Sequence, residues 1–191
     1  MDTKSNCMSL VITGNPGVGK HTTTDLFVKQ DSSYQIIDVN KFAIEGGFGD
    51  KIEDGIEVNT AELKDEIKKK ISDKSLIVGH LAPYVLDESD VDLAIVLRKN
   101  PYDLVDIYKK RNYQDSKIKQ NAGSEVLGVI ANDTIASFGK EKTFEIDTTQ
   151  KTPKRVVEQI NGIIKNQESG DIIDWLTIVE ERNEFSRFFD Y

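Results

Sequence analysis

Apolar residues cluster in short, β-branched runs separated by longer stretches with helical spacing. The first run, residues 8–13, contains Leu10, Val11 and Ile12 and ends at Gly14. Others cover residues 34–39, 76–79, 91–97 and 143–147. Runs this short that are apolar throughout predict strands buried on both faces. Between them, residues 20–30 predict a helix. Thr60 is expected to cap a charged helix that carries Leu63, Ile67 and Ile71 on one face. Asn100 and Pro101 predict a cap and first turn for a helix ending near Arg111. A single long helix is expected over residues 115–138. Thr152 and Pro153 open another, with Val156, Ile160 and Ile163 or Ile164 on one face. Residues 46–50 are glycine-rich and predict a mobile loop, and residues 167–170 predict a polar linker. The remaining segment, residues 171–191, is amphipathic, with Trp175, Val179, Phe185, Phe188 and Phe189. It predicts a terminal helix packed onto the domain. Strands alternating with helices imply βαβ units, hence an α/β fold with a five-stranded, mostly parallel sheet flanked by helices.

Composition narrows the function. At 191 residues the chain has the size of about one domain. Its 33 acidic against 25 basic residues give a net charge of −8, which argues against broad binding to DNA or to an anionic membrane surface. No apolar stretch is long enough to span a bilayer, and the start lacks the pattern of a secretory leader. The single cysteine, Cys7, allows no internal disulfide. Two histidines, His21 and His80, with no Cys/His cluster, exclude a structural zinc site. A soluble, cytoplasmic domain is expected.

The chemistry begins after the first strand. Gly14-Asn15-Pro16-Gly17-Val18-Gly19-Lys20 fits G-x-x-x-x-G-K between a strand and a helix, where a phosphate loop belongs. Gly17 and Gly19 free the backbone to turn, so that consecutive amides converge on a phosphate at the positive end of the following helix. Lys20 adds a point charge for the β- and γ-phosphates. Gly14, Pro16, Gly17, Val18, Gly19, Lys20, His21 and Thr22 are therefore the candidate ATP-binding residues. The hydroxyl residue that usually follows the lysine and holds Mg²⁺ is replaced by His21, which leaves Thr22 as the candidate metal residue.

The loop resembles that of adenylate kinases, which also lack a hydroxyl directly after the lysine. Farther on, Val96-Leu97-Arg98, Arg111-Asn112-Tyr113, Lys117, Asn121 and Glu125 resemble the V-L-R…R-G-Y…K…N…E pattern of the CINAP-type, adenylate-kinase-like ATPases of archaea and eukaryotes. The resemblance covers about residues 8–165. It implies a P-loop core over residues 1–165 with a nucleoside-monophosphate region at about 38–60 and a short lid at about 110–120. Residues 166–191 are left as a C-terminal helical tail. It implies ATP with Mg²⁺, AMP as acceptor (ATP + AMP ⇌ 2 ADP), ATPase activity, and work with a small-subunit ribosomal protein and the pre-ribosome in rRNA maturation.

By the same resemblance, Arg111 is the lid arginine that covers the phosphates, and His80, after the third strand, is a catalytic residue beside Lys20. Two departures stand out. No carboxylate precedes His80, where the family has one. Ile44 stands where an arginine is expected on the monophosphate side, leaving Asn40 and Lys41 as the AMP-binding candidates. Two function classes follow: a nucleoside-monophosphate kinase, or a nucleotide-dependent assembly factor with ATPase activity and little or no AMP phosphorylation.

Overall fold

A computed structural model describes residues 8–52 and 55–190. Cys7, the segment before it, Tyr191 and residues 53–54 of the expected monophosphate region lie outside them. The strands of the main sheet are β1 (Leu10–Thr13), β2 (Gln35–Asp38), β5 (Ser75–Val78), β6 (Leu93–Arg98) and β7 (Thr143–Asp147), in the order β2-β5-β1-β6-β7. Every pair is parallel, with Leu10 beside both Leu76 and Leu93. The sheet is thus fully rather than mostly parallel. Alternate side chains supply its two faces. Leu10, Ile12, Leu76 and Ile95 join one cluster, and Val11, Ile37, Ile77 and Ala94 join another.

The first face is covered by α1 (Lys20–Gln30), α5 (Pro101–Lys110), α6 (Asp115–Val126) and α8 (Pro153–Ile164), through Phe27, Leu104, Ile118 and Val156 among others. The second is covered by α3 (Thr60–Lys68), α4 (Ala82–Val85) and α7 (Val129–Phe138), through Leu63, Ile67, Val85 and Phe138. Asn100 and Thr152 cap α5 and α8, accepting from the amides of Tyr102 and Arg155. The cap of α3 is Asn59, which accepts from Glu62 N–H at 3.3 Å, and Thr60 is its first helical residue. That helix ends before Ile71, which packs onto the core from outside it.

The single long helix expected over residues 115–138 is two. Gly128 adopts φ +64 between α6 and α7, and a Cβ there would sit 3.3 Å from the Arg98 guanidinium. The break lets α7 cross to the other face of the sheet while α6 keeps to the first. The region after β2 also differs from expectation. Asp38 closes the strand and caps α2 (Val39–Glu45), accepting from Lys41 N–H at 3.0 Å. The glycine-rich loop is a short turn that enters an antiparallel hairpin, β3 (Gly49–Ile52) and β4 (Gly55–Val58). Stacked Phe42 and Phe48 tie α2 to the hairpin. The tail forms α9 (Trp175–Glu181), which buries Trp175 and Val179. Phe188 follows, also buried, while Leu176 and Ile172 face outward.

Candidate nucleotide site

The C-terminal ends of parallel strands are where open α/β sheets bind ligands. Here β1 ends in the glycine loop, β5 ends before His80, and β2 ends at Asp38, from which α2 brings Asn40. Gly14 has φ +131, and a Cβ on it would lie 2.2 Å from the Leu97 carbonyl oxygen, so only glycine fits so close to β6. Gly19, at φ +99, is the N-cap of α1 and brings no side chain to cap it. The first helical bond runs from Thr23 N–H to the Gly19 carbonyl at 3.0 Å, so the amides of Lys20, His21 and Thr22 precede it. Amides at such a helix start are an anion site.

Lys20 is 7% exposed, and its Nζ donates to the carbonyls of Gly14 (2.7 Å) and Asn15 (2.9 Å). Burial lowers its pKa to about 8, against the opposing pull of Glu125. His80 sits close by. Burial, reinforced by the charge of Lys20, lowers its pKa to about 4, so it is neutral at pH 7. Asn40 Nδ2 donates to its Nδ1 at 2.5 Å, which leaves the ring proton on Nε2. The imidazole can therefore offer a neutral N–H donor. The amide oxygen of Asn40 is buried without a partner among the described residues, as is the amide nitrogen of Asn121.

A cavity of about 1140 Å³ joins these groups. It brings together most of the residues expected from the sequence: Pro16, Gly17, Gly19, Lys20, His21, Thr22, Asn40, His80 and Arg111. Three expected residues are not in its lining. Gly14 is buried beneath the loop, Val18 turns its side chain into the core, and Lys41 is exposed on α2, 3.8 Å from Glu45.

Arg111 caps the C-terminus of α5 and makes no ion pair among the described residues. Asn112, next to it, adopts φ +56, a left-handed conformation that Asn tolerates better than most side chains. Tyr113 follows, stacked on Tyr108 and under Lys117 Nζ. Tyr108 OH in turn donates to the Pro16 carbonyl at 2.7 Å, so the expected lid leans on the glycine loop. Ile44 lines the cavity and is 59% exposed.

Two contacts escaped the sequence reading. His21 Nε2 lies 2.8 Å from Asp38 Oδ2, joining the start of α1 to the cap of α2. Asn15 is held by Glu125 from behind the loop. The place of Asp38 at a strand's C-terminal end was a signal for the first. The second pair is 110 residues apart, and only Glu125's place in the downstream pattern hinted at it.

For Mg²⁺, the lining offers the Thr22 hydroxyl and the unpartnered Asn40 oxygen, and no carboxylate among the described residues. That donor set fits a cation delivered on phosphates, since Mg²⁺ keeps several waters and takes few protein ligands in such sites.

Residues 10–128 match the family described as AAA domain. A protein of Pyrococcus abyssi named "Putative adenylate kinase" is 33% identical over 91% of this chain and 94% of its own length. One of Thermococcus kodakarensis with the same name is 32% identical over 91% of this chain and 96% of its own. Among solved structures, a gluconokinase from Sinorhizobium meliloti superposes with a TM-score of 0.51 at 11% identity, covering 94% of this chain and 97% of that one. It shares the fold. No helix among the described residues is long and apolar enough to cross a membrane.

Proposed function

The chain belongs to the AAA-domain family and, within it, to the family of these archaeal adenylate kinase relatives, and on that premise we propose that it transfers the γ-phosphoryl group of ATP to AMP. The observation that carries this reading is Lys20, buried on a glycine loop among the free amides of a helix start, at one side of a cavity that extends to α2. In the reaction the bond from the γ-phosphorus to the ADP oxygen breaks and a bond to an AMP phosphate oxygen forms. Lys20 and the amides of His21 and Thr22 hold the β- and γ-phosphates. Arg111 places a guanidinium over the charge that spreads across the transferring group. His80, neutral, donates Nε2–H to a phosphate oxygen or to an ordered water. Mg²⁺ with ATP neutralises phosphate charge when bound, and Thr22 would hold it. Asn40 is the acceptor-side residue, in a monophosphate region of about residues 38–60 facing a lid of about residues 110–120.

A second reading has its own support. Ile44 supplies no guanidinium to the cavity, and Lys41 is turned out to Glu45. An AMP phosphate thus lacks a bidentate clamp on the α2 side. That favours an assembly factor of the CINAP type, which hydrolyses ATP while acting on a small-subunit ribosomal protein and the pre-ribosome in the cytoplasm. The net charge of −8 suits a basic protein partner. ATP consumption measured with AMP, GMP, CMP or UMP, and then with small-subunit ribosomal proteins, separates the two. Two ADP formed per ATP and AMP consumed supports the kinase. ATP hydrolysis indifferent to AMP and stimulated by a ribosomal protein supports the assembly factor.

A further inference from the structure

Glu125, on α6, is 0% exposed, and four donors converge on its carboxylate. Asn15 Nδ2 reaches Oε2 at 2.7 Å. Arg98 Nε at 2.7 Å, the Lys99 amide at 3.1 Å and the Trp175 indole N–H at 3.2 Å reach Oε1. Every partner is a donor, so this cage suits the ionised carboxylate. A protonated one would bury an O–H with no acceptor. Arg98 is further held by Glu145 and by the Glu125 carbonyl.

The four donors come from three places. Asn15 belongs to the glycine loop, Arg98 and Lys99 end β6, and Trp175 opens α9 in the tail. Glu125 itself lies on the helix that follows Arg111 and the lid turn. Asn15 has two attachments: its side chain is fixed by Glu125, and its carbonyl accepts from Lys20 Nζ at 2.9 Å. Ser124 Oγ, next to Glu125, also reaches Asn15 Oδ1 at 3.3 Å. A buried ion pair with Arg98 alone would be a structural device of doubtful net worth. The bond onward to the glycine loop gives it a second use. A loop that must offer several amides to one phosphate gains affinity when its conformation is set beforehand.

We propose that Glu125 is a positioning residue for the glycine loop, and that the tail, through the Trp175 indole, sets how firmly it holds Asn15 and so how tightly the loop binds nucleotide. This rests on the reading that the loop binds ATP or ADP. The tail is anchored well enough to carry the effect: Val179 and Phe188 are buried, and Arg182 and Arg187 lie over the Tyr102 ring at 4.7 and 4.8 Å.

Trp175 is the sole tryptophan, so tryptophan emission reports the surroundings of this one indole. Adding MgADP to the intact chain is expected to change that emission, with a midpoint equal to the dissociation constant from calorimetry. In Asn15→Ala the calorimetric heat remains at higher ADP, but saturating ADP leaves the emission unmoved. Trp175→Phe keeps a smaller aromatic ring in the same space and removes the N–H donor. It is expected to weaken MgADP binding about three- to tenfold, the scale of one ordinary hydrogen bond. Glu125→Gln should weaken it further. That variant removes a carboxylate charge from beside buried Arg98, leaving it Glu145, and can fail to fold, which is why Trp175→Phe carries the test. A purely structural tail would lower the melting temperature of Trp175→Phe and leave ADP affinity at the parent's value. That result overturns the proposal, as does a full emission response in Asn15→Ala. Absence of calorimetric ADP binding by the intact chain would overturn the nucleotide reading itself, and this proposal with it.

Discussion

Lys20 and His80 are both ionisable side chains held where their charged forms are disfavoured, and each therefore has a measurable effect on stability. The Lys20 pKa is lowered to about 8 in the folded chain, below the 10.5 of a free lysine. The folded state thus binds fewer protons than the unfolded one between those values, and at pH 7 the charged amine is a standing cost to folding of roughly 3 kcal/mol. Lys20→Met removes that cost together with the phosphate contact. The variant is expected to lose turnover and to melt about 6–12 °C higher than the parent by calorimetry. A lower melting temperature would show that the bonds to the Gly14 and Asn15 carbonyls outweigh the burial. His80 is lowered from 6.5 to about 4. Its neutral form is the one that folds, so the unfolded chain binds more protons between pH 4 and 6.5. The stability it contributes is complete above pH 6.5 and is lost as pH falls toward 4. Denaturant unfolding at pH 7 and pH 4.5 should show a loss about 2 kcal/mol larger in the parent than in His80→Gln. Equal losses would mean that the imidazole is free to protonate in the folded chain.

At the scale of elements, what was legible followed from chemistry that is local in sequence. Gly14, Gly17, Gly19 and Lys20 read as a phosphate loop because the backbone conformation and the charge it needs sit within a few residues of one another. Asn100-Pro101 and Thr152-Pro153 read as helix starts for the same reason. The break at Gly128 was hidden because a glycine inside an apolar helical pattern is often tolerated. What decides it is the Arg98 guanidinium, which lies 30 residues back in the chain and fills the space beside that turn. The helix α2 was hidden because it is short and is held by the cap at Asp38 and by the stacking of Phe42 on Phe48. The departure that the sequence did reveal, Ile44 in place of an arginine, lies on α2 and in the cavity lining. Restoring the guanidinium there gives a direct test of that element's role. Ile44→Arg is expected to lower the KM for AMP about tenfold or more, since a bidentate bond to a phosphate contributes roughly 1.5–3 kcal/mol. The KM for ATP, bound across the cavity, should change by less than twofold. Steady-state kinetics with each substrate varied decides it. An unchanged AMP constant would mean that α2 does not face the acceptor phosphate.

At the scale of the whole molecule, the parallel sheet gathers the ends of β1, β2 and β5 on one edge, and α6 with the turn that carries Arg111 and Tyr113 closes that edge from the first face. The resulting cavity of about 1140 Å³ exceeds the roughly 300–1,000 Å³ of most single-ligand sites. One end is the glycine loop with Lys20 and Arg111. The other is bounded by Asn40, Ile44, Val58 and Tyr84, whose hydroxyl is 2.5 Å from Asp133 Oδ2. If both ends take nucleotides, one ligand that joins two adenosines through a polyphosphate chain should fill them together. It would pay the loss of free motion once, and so bind more tightly than ATP. A ligand at a hundred times its dissociation constant stabilises the folded chain by about 2.7 kcal/mol, which at this size raises the melting temperature by roughly 5–10 °C. Melting curves with equal concentrations of MgATP and of the two-adenosine ligand should therefore give a clearly larger rise with the latter. A rise equal to that of ATP would show that only the glycine-loop end accepts a nucleotide. The absence of an arginine on α2 would then explain why, and the chain would act as an ATP-dependent assembly factor rather than a kinase of AMP.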